Sequence, residues 1–194
     1  MLGNSEFIIK IIVLGDSGVG KTSFLVRFFQ DEYRDSLRPT EGVEFFSKEL
    51  TIKNQRANLQ IWDTSGQEVF LALTRSYFRN SLGALILFDL TSVDSLNNTE
   101  KWINEIKEVE GSDVTLVLIG NKSDLERKVS KEEAENYART KNMTYFEASA
   151  KTGENVSQAI DSCIMQIQKK IEEGKIDPYK KDIPKPMEDK RCKC

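Results

Sequence analysis

The sequence predicts a three-layer α/β domain: a mostly parallel sheet with helices on both faces. Three observations point to it. The runs "IIKIIVLG" (8–15), "LQIWD" (59–63), "ALILFDL" (84–90) and "VTLVLIG" (114–120) are nearly continuous in Leu, Ile and Val. Strands covered on both faces have that composition, as in a parallel sheet. Helical periodicity lies between the runs. One exception, "FFSKELTIKNQRANLQIW", reads as two strand-like stretches joined by a polar turn around Asn54, and so as an antiparallel pair.

In chain order, the first run opens the sheet and leads through a glycine-rich loop into the first helix. The antiparallel pair follows, and strands then alternate with helices, the βα pattern of a doubly wound fold. Ser130 and Glu133 have capping-box spacing ahead of "AENYA". Val156, Ile160, Cys163, Ile164, Ile167 and Ile171 share one face of a final helix. Cys163 is therefore expected in the core rather than at a reactive site.

Composition removes several functions. The 194 residues suffice for one domain with a real core. A net charge of -3 predicts no bulk attraction to nucleic acid. No apolar run approaches the ~20 residues that cross a bilayer. "FIIKIIVLG" is short, is interrupted by Lys10 and lacks a basic leader, so no secretory signal is expected. There is no histidine, which excludes His-dependent zinc sites and Ser-His or Cys-His nucleophile pairs. Three cysteines argue against a disulfide framework. I-V-L-rich texture ends near Gly174. Residues 174–194 hold three of the four prolines and seven basic residues against four acidic ones, a net +3. Such a segment cannot bury enough surface to offset its ordering entropy. It reads as a flexible tether of roughly 70 Å when fully extended, giving a domain at 1–173 and a tail at 174–194.

"GDSGVGKT" (15–22) follows a strand and precedes a helix, and it matches G-x-x-x-x-G-K-[ST]. Glycines at Gly15, Gly18 and Gly20 let amide N–H groups turn in around phosphate oxygens, with Asp16, Ser17 and Val19 between them. The helix presents its positive end to the same anion. Lys21 would reach the β- and γ-phosphates and the Thr22 hydroxyl would bind Mg²⁺, with Ser23 beside it. The motif alone does not choose between ATP and GTP.

Downstream, "LIGNKSD" (118–124) ends a strand, and "ASAK" (148–151) follows another. With the phosphate loop, these stretches resemble the small GTPases over about residues 7–173. The resemblance implies a P-loop G domain whose six-stranded sheet is mostly parallel with one antiparallel edge strand. It implies that Asp124 accepts hydrogen bonds from guanine N1–H and the exocyclic amine, which adenine cannot supply there. Asn121 would hold the guanine edge and brace the phosphate loop. The Lys122 stem would cover one ring face, and the Ala150 N–H would meet O6, supported by Ser149 and Lys151. Tyr33 stands where the family puts an aromatic ring against the base. "RPTEG" (38–42) resembles the first switch, with Thr40 closing the Mg²⁺ shell. "WDTSGQE" (62–68) resembles the second: Asp63 would hold Mg²⁺ through water, the Gly66 N–H would touch the γ-phosphate, and Gln67 would orient the attacking water. Bound GTP and GDP would set the switch. No arginine is evidently placed to reach the γ-phosphate, so slow turnover is expected, with a partner supplying the missing charge.

Within the small GTPases the chain is most similar to the Rab family. Ser17 stands where Ras-type proteins have glycine, "WDTSGQE" is one residue from the Rab WDTAGQE, and "LTRSYFRNSLGALILFDLT" resembles the Rab block at that point. Phe45, Trp62 and Tyr77 match an aromatic triad that Rab proteins present to effectors, Trp62 being equally readable as core. The terminal "CKC" resembles the Rab double geranylgeranylation signal, at Cys192 and Cys194. Two chains are what stable anchoring requires, and the basic tether adds attraction to an anionic leaflet. The resemblance implies a lipid-anchored monomer on the cytoplasmic face of an intracellular membrane, cycling with cytosol. It implies an exchange factor, a GTPase-activating protein, effectors, and an escort protein or GDI as partners. Four departures stand out: Glu41 for the usual Ile, Ser65 for Ala, Val69 for Arg, and Asn80 for Gly. Glu41 puts a charge on the effector surface, and Ser65 adds a hydroxyl near the γ-phosphate. Rival readings are a P-loop ATPase or nucleotide kinase, a Ras- or Rho-like signalling GTPase, and a GTP-binding scaffold with impaired hydrolysis.

Overall fold

Every strand of the sheet except the two at its edges is flanked on both sides by other strands, and this places the loops of the site. The computed structural model describes residues 7–35, 40, 42–52, 55–66 and 71–177. In order these form β1 (Phe7–Leu14), α1 (Lys21–Gln30), β2 (Val43–Ile52), β3 (Gln55–Thr64), α2 (Leu71–Phe78) and β4 (Gly83–Asp89). There follow α3 (Val93–Asn97), α4 (Thr99–Glu110), β5 (Thr115–Asn121), α5 (Lys131–Thr140), β6 (Thr144–Glu147) and α6 (Val156–Glu172). The spatial order is β2-β3-β1-β4-β5-β6. Only β2 runs antiparallel, pairing Phe45 with Trp62 and Ile52 with Gln55. The expected six-stranded sheet with one antiparallel edge strand is the one observed. The chain leaves β1 towards one edge and later returns to build β4 on its other side, so the crevice at the carboxyl end of β1 is the topological switch point.

Continuous apolar runs are needed because successive strand residues enter different cores. Ile9, Ile11 and Val13 face Phe24 and Leu25 of α1 and Ile160 and Ile167 of α6. Ile12 and Leu14 face Phe78 of α2, Leu96 of α3, Trp102 and Ile106 of α4, and Ala134 of α5. The apolar stripe of α6 is buried from Val156 to Ile167. Cys163 lies within it, fully buried, and burial pushes its thiol up to about 12, so it is a core residue. Lys10 interrupts β1 yet has no exposure. Its ammonium donates to the Arg79 carbonyl at 2.8 Å and lies 4.5 Å from the Trp62 ring centroid. At the start of α5, the Ser130 hydroxyl accepts from the Glu133 amide at 3.2 Å, as its spacing predicted.

Asn80 shows why one departure from the family pattern is tolerated. It sits between α2 and β4 at φ 66°, and its amide donates to Glu110 Oε1 at 2.6 Å. That backbone region favours glycine, and asparagine is among the few other residues that visit it. Asn80→Ala is therefore expected to lose about 1 kcal/mol in urea denaturation, while Asn80→Gly equals or exceeds the parent.

Candidate functional site

The phosphate loop is built from the end of β1. Gly20 holds φ 94°, and a Cβ there would come within 2.5 Å of Asn121 Nδ2. α1 begins at the next residue with no side-chain cap and no acid in its first turn, so its amides stay available to an anion. Lys21 is 6% exposed, and its ammonium bridges the carbonyls of Gly15 (2.8 Å) and Asp16 (2.9 Å). Burial lowers it to about 8, opposed by Asp63 and Asp16, so it remains protonated at pH 7. The Asp16 carboxylate faces outward: it accepts from Trp102 Nε1 at 2.9 Å and Asn98 Nδ2 at 2.7 Å, tying the loop to α4.

Three oxygens converge beside Lys21. Thr22 Oγ1 lies 2.6 Å from Asp63 Oδ2 and 2.7 Å from Thr40 Oγ1, and Thr40 Oγ1 lies 3.4 Å from the same carboxylate oxygen. Asp63 has no exposure, and its Oδ1 makes no hydrogen bond. Desolvation is the largest influence on its carboxyl and raises it to about 6, outweighing the Thr22 hydrogen bond and Lys21. A hard divalent cation fits this set. Octahedral oxygens bound at about 2.1 Å stand about 3 Å apart, and Mg²⁺ takes one or two carboxylates with hydroxyls and phosphates completing the shell. The orphaned Oδ1 is a lone pair in want of a positive partner.

The base side is assembled from β5 and β6. Asn121 is 1% exposed: its Nδ2 donates to the Val19 carbonyl at 2.8 Å, and its Oδ1 accepts the Ala150 amide at 3.2 Å. Ser149 Oγ donates to Asp124 Oδ1 at 2.6 Å and accepts the Thr152 amide at 3.1 Å, which orients the carboxylate. Lys122 adopts φ 66°, and its ammonium pairs with Asp89 Oδ2 at 2.5 Å. Burial alone would raise Asp89, but Lys122 and Thr91 hold it below the usual carboxylate range. Two cavities adjoin here. One, of about 290 Å³, is walled by the phosphate loop, Thr40, Ser65 and Gly66. The other, of about 230 Å³, is walled by Asn121, Asp124, Leu125, Ala150 and Lys151. Gly20, Ser23, Tyr33 and Lys122 line both. A long ligand with an anionic end and a planar, hydrogen-bonding end matches that shape.

Thr40, Ser65 and Gly66 reach the same place. Gly66 lies so close to the phosphate loop that a Cβ on it would sit 2.3 Å from the Ser17 nitrogen. Ser65 is buried, and its amide donates to the Gly42 carbonyl at 2.9 Å, linking the two segments. Gln67, Glu41 and Val69 lie outside the described residues, as do Cys192 and Cys194.

Comparison with known proteins agrees with this geometry. The model of the Ras family matches residues 10–169. Ras-related protein Rab-4A of Danio rerio is 39% identical over 175 residues, spanning 89% of this chain and 82% of the relative. Its counterparts in Mus musculus and Rattus norvegicus show the same identity, covering 80% of the relative. The chain belongs to the Rab branch of the Ras family. It is a small GTPase, a GTP hydrolase on the six-stranded fold that family shares.

For this Rab protein, one expectation needs correcting and several residues were missed. Trp62 is only 2% exposed, so it does not stand on the surface as an effector residue; it is the floor beneath Phe45, which is 37% exposed, and half-buried Tyr77. Their ring centroids lie 5.2 and 5.5 Å from it. Arg34, which no motif singled out, lines the phosphate-side cavity. Arg27 of α1 was also missed. Its guanidinium binds the carbonyls of Ala150 (3.0 Å), Lys151 (2.9 Å) and Asp31 (2.8 Å), so one side chain holds the 148–151 loop to the phosphate-loop helix. Nothing in local spacing foretells a contact across more than a hundred residues.

Because the raised Asp63 carboxyl favours its proton, its contribution to stability is full below the unfolded value of 3.8 and lost as pH rises through about 6. Without nucleotide and in a chelator, Asp63→Asn is expected to be more stable than the parent at pH 7.5 by about 1–3 kcal/mol. The gap should close towards pH 4. Added GDP and Mg²⁺ should raise the melting temperature of the parent by several degrees more than that of the variant.

Proposed function

We propose that this chain is a GTP/GDP-switched regulator of membrane trafficking with slow intrinsic hydrolysis, anchored by lipid at its carboxyl end. The observation that carries the reading is the junction of the two cavities at Gly20 and Lys122, with the Thr22–Thr40–Asp63 oxygens on one side and Asp124 on the other.

In this reading Asp124, oriented by Ser149, accepts the two guanine donors, and adenine, covering the carboxylate without supplying them, would leave its lone pairs unpaired. The Lys122 stem lies along one ring face, held taut by Asp89, and Tyr33 borders the ring and the phosphates. The Ala150 amide must be shared between Asn121 and guanine O6. Lys21 exchanges two carbonyls for phosphate oxygens, which relieves part of its desolvation. Thr22 and Thr40, with Asp63 through water, would hold Mg²⁺, which when bound would neutralise charge building on the phosphates. Gln67 orients the water. Loss of the terminal phosphate releases Thr40 and Gly66, and the surface of both segments changes. Phe45 and Tyr77, with Glu41, form part of that surface for effectors. An exchange factor, an activating protein, and an escort protein or GDI complete the cycle.

Residues 1–173 form the switch domain and 174–194 the tether. α6 ends at Glu172, and Gly174 follows at φ 69°, a turn that stops a helix. No helix among the described residues is long and apolar enough to cross a membrane. Two prenyl chains on Cys192 and Cys194 would then supply the anchor, on a cytoplasmic membrane face.

Labelled GDP should be displaced by GTP and not by a hundredfold excess of ATP, and Asp124→Asn should weaken GDP at least a hundredfold while favouring xanthine nucleotides. ATP competing as well as GTP does would defeat the guanine assignment. Changing both Cys192 and Cys194 to Ser should move the tagged protein from membranes to the soluble fraction, measured by flotation of cell lysates; unchanged flotation would refute the anchor.

A further inference from the structure

The phosphate-side cavity has one cation that the family pattern does not account for. Among the described residues, Arg34 is the only arginine lining it, together with Lys21 and Lys122 as the other basic groups. Its neighbour Tyr33 lines both cavities, whereas Arg34 lines only the phosphate side. Arg34 therefore borders the phosphate side only, next in the chain to a residue at the junction with the base side. A nucleotide spanning that junction would bring its α- and β-phosphates nearer to such a residue than its terminal group.

The guanidinium is loosely committed. Nη2 meets Glu32 Oε2 at 2.9 Å and Gln30 Oε1 at 3.4 Å, and Nε meets the same Glu32 oxygen at 3.3 Å. Both side chains of the Arg34–Glu32 pair are 56% exposed. A pair so open to water holds weakly and is screened by salt. A phosphate chain offers the same planar fork several anionic oxygens in a more enclosed place.

We propose that Arg34 is a further nucleotide-binding residue of this chain: on binding, its guanidinium leaves Glu32 and grips the α- and β-phosphates. The inference rests on reading the cavity as a guanine-nucleotide site. Because GDP and GTP share those two phosphates, Arg34 slows the release of both. Glu32 acts as a stand-in anion that keeps the guanidinium in position between ligands.

The test is the release rate of a fluorescent GDP from the full-length chain with Mg²⁺, at low and high salt. Arg34→Ala is expected to speed release about tenfold and to flatten its salt dependence, and Arg34→Lys to recover part of the loss. Glu32→Gln removes the other half of the ion pair and is expected to leave release unchanged or slower. Arg34→Ala releasing GDP within twofold of the parent overturns the proposal. Equal acceleration by Arg34→Ala and Glu32→Gln also overturns it, because the pair would then be a staple of the loop. A parent that retains no guanine nucleotide overturns the functional reading itself, an outcome distinct from a parent that retains it with an indifferent Arg34→Ala.

Discussion

Three loops from distant parts of the chain meet on one side chain, the amide of Asn121. It donates to the Val19 carbonyl in the phosphate loop and accepts from the Ala150 amide beyond β6. Both bonds are buried, where an unmade hydrogen bond is costly. The contact is possible only because Gly20 has no Cβ; one would stand 2.5 Å from Asn121 Nδ2. Arg27 completes the clasp from outside through the Ala150 and Lys151 carbonyls. The position of the phosphate cradle is thereby fixed to that of the base pocket, and both to the carboxyl ends of a rigid sheet.

The centre of this frame is electrostatically unfinished. Lys21 and Asp63 are both nearly inaccessible to water, and desolvation dominates both, pulling the lysine down to about 8 and the carboxyl up to about 6. Their mutual attraction offsets only part of that penalty. A polyphosphate with a divalent cation would supply what each lacks, an anion for the ammonium and a cation for the carboxylate. A site so arranged gains ligand affinity from the same burial that weakens the free protein, a common exchange between stability and function.

Much of the fold was legible because the central strands β1, β4 and β5 are buried on both faces, and each therefore announces itself as an apolar run. The antiparallel pair betrayed itself by its polar turn. Site residues within contiguous motifs were legible for a similar reason: spacing in the loop dictates spacing around a phosphate. What could not be read were partnerships made by folding. Asp16 looked like a loop residue, yet Trp102 and Asn98 hold its carboxylate. Asp89 closes a strand and becomes the anchor of Lys122. Trp62 matched a surface triad, but its register opposite Phe45 on a strand covered by α2 buries it. Arg34 belongs to no motif, and only the path of the loop brings it to the cavity.

The way the two switch segments are attached explains how a small chemical change could reposition them. Among the contacts of the described residues, Ser65 donates to Gly42, and Thr40 meets Thr22 and Asp63 through a single hydroxyl. By contrast, the neighbouring phosphate loop is held by Asn121, by the two partners of Asp16, and by Val19, buried in the core beside α1 and α6. A ligand whose contacts with such segments differ between two states by only a few kcal/mol is enough to shift them from one position to the other. The rigid loop cannot be moved so readily, because several buried contacts would break together. In the function proposed above, the ligand's change would therefore be transmitted to the segments that carry Thr40 and Gly66, while the loop of Lys21 stays in place.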